Sequence, residues 1–123
     1  MPHTILVVDD DAAALSGLVE LLNGAGYRTV GAGSFQEATR VLSTIQPDLL
    51  IADVRLVAFN GLQLVLRSRV THPKMASIVI SGFPDAFLEN EAKLAGAAAY
   101  LVKPLNPSGL IDKIEETLGS MTA

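Results

Sequence analysis

Five times along the chain a short run of β-branched and aliphatic residues gives way to a longer stretch in which apolar side chains recur at the helical period, and this alternation constrains the fold more than any other feature. A strand, a helix and a strand in strict succession are satisfied by a parallel sheet with right-handed helical crossovers covering both faces. The first apolar run is Thr4 to Val8; Leu15, Leu18, Val19, Leu22 and Ala25 then share one helical face, which Gly24 and Gly26 end. Tyr27 to Ala32 reads as the second strand. Ser34, with Glu37 three residues on, forms a capping box ahead of Phe35, Ala38, Val41, Leu42 and Ile45, and Pro47 closes that helix.

Leu49 to Ala52 is continuously apolar and ends in Asp53, as expected of a central strand buried on both faces. Asn60-Gly61 marks a turn into a third helix, about Leu62 to Val70, which His72-Pro73 breaks. Ile78 to Ile80 makes a fourth strand ending at Ser81, and Gly82 to Asp85 leads into a fourth helix reaching about Ala95. Ala98 to Val102 is a fifth strand broken by Lys103-Pro104. Asn106 or Ser108 caps the last helix, whose stripe is Leu110, Ile111, Ile114 and Leu118. Five units fall short of the eight a closed barrel needs, so the expectation is an open doubly wound α/β sheet. The 123 residues make one domain, with an ordered core over about 4–118 and a frayed tail over 119–123.

Composition narrows the function classes. Half the residues are apolar and only 18% charged, which excludes disorder. The absence of cysteine excludes disulfide frameworks, thiolate metal sites and thiol catalysis, and His3 and His72 are isolated in sequence. A net charge of −4 argues against direct nucleic-acid binding by this domain, since phosphate contacts need a basic face. With no basic leader and no apolar run of membrane-spanning length, a cytoplasmic location is expected.

In a doubly wound sheet the site lies beyond the carboxyl ends of the strands. There the chain places Asp9, Asp10 and Asp11 after the first strand, Asp53 after the third, Ser81 after the fourth and Lys103 after the fifth. If the first and third strands are neighbours, at least three carboxylates converge. At ~4 Å and an effective dielectric of ~20 each pair repels by ~4 kcal/mol. Lys103 offsets part of this, and an all-oxygen donor set points to Mg2+ for the rest. A carboxylate beside Mg2+, a hydroxyl and an ammonium is equipped to handle a phosphoryl group: Asp53 as nucleophile, with Ser81, Lys103 and the metal on the phosphoryl oxygens.

These residues closely resemble the receiver domains of two-component response regulators. The resemblance spans nearly the whole chain and rests on Ile5 to Asp11, on Asp48 to Asp53, on Gly61, on Ile78 to Gly82 and on Tyr100 to Pro104. It implies a flavodoxin-like sheet of order 2-1-3-4-5, the order this family exemplifies. It implies that Asp53 accepts a phosphoryl group from a sensor histidine kinase or phosphotransfer protein, with Asp10 binding Mg2+ directly, Asp9 helping through water and Arg55 supplying a backbone carbonyl. Ser81 and Tyr100 would be switch residues remodelling the face of the fourth helix, fifth strand and fifth helix. The output would be a downstream protein or a missing output domain, and the Lys103-Pro104 bond would be cis.

Val57 and Asn60 depart from the commoner proline and aspartate of the family, and Ser81 replaces threonine while keeping the hydroxyl. Arg55 and Phe83 lie two residues past Asp53 and Ser81, at positions that in the family the chain resembles flank the water approaching the acyl phosphate, and are read as slowing its loss; otherwise both point to solvent. Phe83 and Phe87 are alternatively output residues, and Tyr100 an ordinary strand aromatic. The competing functions are a receiver that docks partners without phosphorylation, a Mg2+-dependent aspartyl-phosphate phosphatase using Asp9 and Asp11, and a flavodoxin-like electron carrier. The first reading makes the chain no enzyme beyond its own phosphorylation and dephosphorylation.

Overall fold

The computed structural model describes residues 2–54 and 61–122. The alternation resolves into β1 (Thr4–Val8), α1 (Ala12–Gly24), β2 (Arg28–Ala32), α2 (Phe35–Leu42), β3 (Leu49–Asp53), α3 (Gly61–Thr71), β4 (Ala76–Ser81), α4 (Ala86–Ala95), β5 (Ala99–Val102) and α5 (Pro107–Thr122). The strands form one parallel sheet in the order β2-β1-β3-β4-β5. That is the flavodoxin-like order expected from the sequence.

Side chains alternate across a strand, so each face of the sheet gathers its own core. Leu6, Val8, Leu50, Ala52 and Val79 pack with Phe35, Ala38 and Leu42 of α2, Leu64 and Val65 of α3, and Ala92 and Ala95 of α4. Ile5, Val7, Leu49, Ile51, Ile78 and Ile80 pack on the other face with Leu22 of α1 and Leu110, Ile114 and Leu118 of α5. All five residues of β3 are buried, as its unbroken apolar run requires. The central strand therefore has covered faces, and only its end can present a side chain to a ligand.

The helix starts follow the capping logic. Asp11 caps α1, Ser34 α2 and Asp85 α4, each accepting from backbone N–H groups of the first turn. Asn106 caps α5 through Gly109 N–H and also accepts from the Ser108 hydroxyl, which settles the choice between those two residues. Glu37 reaches back to Gly33 N–H, one residue earlier than a capping box requires.

Helix ends differ more. Helix α2 stops at Leu42, short of Ile45, where the hydroxyls of Ser43 and Thr44 donate to the carbonyls of Arg40 and Val41 and share those carbonyls with backbone N–H groups of Ser43, Thr44 and Ile45. Helix α5 continues to Thr122, beyond the boundary at Leu118 and into the segment expected to fray. The reversal after α1 is made by Gly26, at φ 98°, while Ala25 remains right-handed. The Lys103-Pro104 peptide is cis, as expected.

Candidate functional site at the carboxyl ends of the strands

Hydrogen bonds running past the strand ends bring the polar residues together. Asp9 N–H donates to the Ala32 carbonyl at 3.1 Å, Val54 N–H to Ile80 at 2.8 Å and Lys103 N–H to Ser81 at 2.8 Å, so β1, β3 and β5 each stay in register with a neighbour one residue past their ends at Val8, Asp53 and Val102. Lys103 consequently projects between β1 and β3. Its ammonium donates to Asp53 Oδ2 at 2.7 Å and to Asp9 Oδ2 at 3.0 Å.

Asp9 and Asp53 are both buried, with 2% and 8% of their surface exposed, so these are desolvated carboxylates rather than rim charges. Asp9 Oδ1 also accepts the Asp11 N–H at 2.9 Å. Burial works against the charge on Lys103 and alone would lower its pKa. The hydrogen bonds and charges of Asp53 and Asp9 outweigh that, and the ammonium titrates above the ordinary lysine value. The Lys103 ammonium thus bridges two buried carboxylates.

The acids of the first strand end do not all converge. Asp11 is exposed and its Oδ1 accepts from Ala13 and Ala14 N–H, where it caps α1; Asp10 is exposed. Among the described residues no group of three or more aspartate, glutamate or histidine side chains is gathered around one point. The expected three-carboxylate cluster is therefore reduced to Asp9 and Asp53 bridged by Lys103, because successive side chains at a strand end diverge and one is taken by the cap. The described donors still suit a hard divalent cation: Asp9 and Asp53 offer oxygen ligands, and Asp10 adjoins Asp9 in sequence.

Ser81 is completely buried at the end of β4, one residue past the Ile80 that pairs with Asp53. Its hydroxyl donates to the Phe83 carbonyl at 3.0 Å, and the Tyr100 hydroxyl donates to the same carbonyl at 3.2 Å. Phe83 is half exposed in the loop leaving β4. Arg55, Val57 and Asn60 lie outside the described residues. Gly61, read from sequence only as a turn residue and as part of the resemblance, is buried against Asp53. Its one advance signal is a residue of poor helix propensity at the first position of a helix.

The family model for the response regulator receiver domain matches residues 5–115. The chain belongs to the response regulator receiver family. Receivers are signalling domains rather than classical enzymes, and this one serves a two-component response regulator. It is 38% identical over 117 residues to the transcriptional regulatory protein PdtaR of Mycobacterium tuberculosis, across 94% of this chain and 56% of that protein. This receiver thus spans about half the length of that relative. It also resembles a CheY-like response regulator receiver domain protein from Methanospirillum hungatei JF-1, with a TM-score of 0.94 and 30% identity over 99% of this chain and 98% of that one. A putative response regulator from Chloroflexus aurantiacus J-10-fl superimposes with a TM-score of 0.90 and 33% identity, over 97% and 99% of the two chains. Among the described residues no helix of this receiver is long and apolar enough to cross a membrane.

Proposed function

We propose that Asp53 is the phosphoacceptor of this receiver and that its donor is a sensor histidine kinase or a phosphotransfer protein. The observation that carries the reading is the buried Asp9-Lys103-Asp53 bridge at the strand ends. An Asp53 oxygen attacks phosphorus, a new O–P bond forms as the donor's N–P bond breaks, and the electron pair returns to the histidine nitrogen. Lys103 already touches the attacking carboxylate and pairs with a phosphoryl oxygen after transfer. Asp9, Asp10 and Asp53 would hold Mg2+ with the Arg55 carbonyl, and the ion would neutralise charge on the phosphoryl oxygens.

The shared Phe83 carbonyl supports Ser81 and Tyr100 as the switch. When the Ser81 hydroxyl turns to the phosphoryl group, that carbonyl loses the Ser81 donor and keeps Tyr100, and the change is passed from the rim to β5 and the start of α4. The output is then a changed α4-β5-α5 face, read by a downstream protein or by an output domain of a longer regulator. An apolar groove of about 480 Å³ lined by Ala14, Leu18, Pro104 and Leu105 opens beside Lys103 and supports a protein as phosphodonor. The phosphatase alternative needs Asp9 and Asp11 at one reacting centre, whereas Asp11 is occupied in capping α1.

Hydrogen exchange read with and without acetyl phosphate and Mg2+ tests the switch: protection is expected to change over residues 83–102, and unchanged exchange in a phosphorylated sample contradicts it. No turnover of p-nitrophenyl phosphate is expected. Arg55 and Phe83 are proposed to shield the acyl phosphate from water, so Arg55→Asn with Phe83→Glu shortens its half-life; an unchanged decay removes both from the account.

A further inference from the structure

The peptide unit that follows the acceptor is held from both sides. Its N–H, on Val54, donates to the Ile80 carbonyl of β4 at 2.8 Å, and the next carbonyl along, that of Val54, accepts from Gly61 N–H at 3.0 Å. On the α3 side Gly61 leaves no room. A Cβ added there would overlap the Asp53 carbonyl oxygen and lie 3.0 Å from its carbonyl carbon and 3.3 Å from Ala52 Cβ. The obstructing atoms are backbone, which cannot swing aside as a flexible side chain would.

Gly61 is also the first residue of α3, whose following turns are fixed by the fully buried Leu64 and by Val65 and Ser68. A side chain at position 61 therefore has two ways to be accommodated: α3 lifts off its core, or the Asp53-Val54 peptide shifts. Any rotation of that peptide moves the Asp53 carboxylate relative to the Lys103 ammonium 2.7 Å away.

We propose that Gly61 is a positioning residue for phosphoryl transfer: it braces the backbone of Asp53 through direct contact with its carbonyl, and so sets where the carboxylate stands. The inference rests on the phosphoacceptor reading. Geometry displaced by up to an ångström costs on the order of 10- to 100-fold in rate. A structural role alone would cost stability and leave the rate of the folded fraction intact.

The test is the rate of phosphoryl uptake from acetyl phosphate at saturating Mg2+, followed by intact mass, in the wild type, Gly61→Ala and Gly17→Ala, the last at a glycine with open space around it. Gly61→Ala is expected to lower the maximal rate at least about tenfold with the half-saturating donor concentration unchanged. It is also expected to shift the Val54 and Ile80 amide resonances, with Gly17→Ala unaffected. Uptake by folded Gly61→Ala within twofold of the wild type overturns the inference. No uptake by the wild type itself overturns the phosphoacceptor reading first.

If Gly61→Ala does not fold, Leu64→Ala loosens the brace from the other side and is compared with Leu22→Ala, a buried leucine on the opposite face of the sheet. A rate loss confined to Leu64→Ala supports the proposal. Equal losses in the two overturn it.

Discussion

Asp48 and Asp53 bracket the same central strand and do opposite things. At the amino end, Asp48 is absorbed into the scaffold: its Oδ2 accepts Thr4 N–H at 2.8 Å, its own N–H donates to the Thr4 carbonyl at 2.8 Å, and its carbonyl accepts from Ala76 N–H at 3.2 Å. It ties β1, β3 and β4 together where they begin. At the carboxyl end, Asp53 shares the Lys103 ammonium with a second buried carboxylate, Asp9. A carboxylate whose bonds tie strands together at their start stabilises the fold. A carboxylate at the strand ends, beside a second acid and a lysine, stands where a doubly wound sheet meets its ligands, and the strand between the two is the rigid element that keeps them apart.

The contrast is broken most strongly by removing the shared cation. Lys103→Met leaves Asp9 and Asp53 facing each other without an ammonium, and is expected to cost about 3 kcal/mol in urea denaturation, the low end for a broken buried pair because the lysine side chain is 30% exposed. Mg2+ is expected to restore part of that loss. Next comes Asp48→Ala, which strands the Thr4 N–H and is expected to cost ~1–3 kcal/mol while leaving phosphoryl uptake unchanged. A slower uptake there would erase the division between the two ends.

Asp53→Asn is expected to change stability by less than ~1 kcal/mol or to raise it, since it relieves the repulsion between two buried carboxylates and leaves Asp9 paired with Lys103. A loss comparable to that of Asp48→Ala would show the acceptor to be a structural carboxylate after all.

The smallest effect lies away from both ends. Burial, and then the charge of Glu115, raise the pKa of Tyr27 above 10.0. Because the folded state holds this proton more tightly than the unfolded chain, Tyr27 contributes stability that is complete below about pH 10 and lost as pH rises through its folded value. Ultraviolet titration of Tyr100→Phe, which leaves Tyr27 as the chain's single tyrosine, should therefore give a midpoint above 10.0.

What was legible in advance follows from the same physics. The strands and helices were readable because apolar period is a local property: Leu49 to Ala52 reads as a strand covered on both faces, with Asp53 at its end on the rim, whereas the strand order came from the family resemblance. Lys103 was readable for the same reason. The exposure of Asp10 was not, because which way a side chain at a strand end turns depends on the loop that follows it. Nor was the end of α2 at Leu42, where two hydroxyls compete with the backbone. The shared Phe83 carbonyl and the Gly61 contact depend on how the loops after β4 and β3 close, and no apolar period encodes them.

Intact mass after incubation with acetyl phosphate and Mg2+, in the wild type, Asp48→Ala and Asp53→Ala, with a chelator control, tests the central claim most directly. The account predicts the gain of one phosphoryl group in the wild type and in Asp48→Ala, and none in Asp53→Ala or with the chelator. An equal gain in folded Asp53→Ala, or none in the folded wild type, would contradict it.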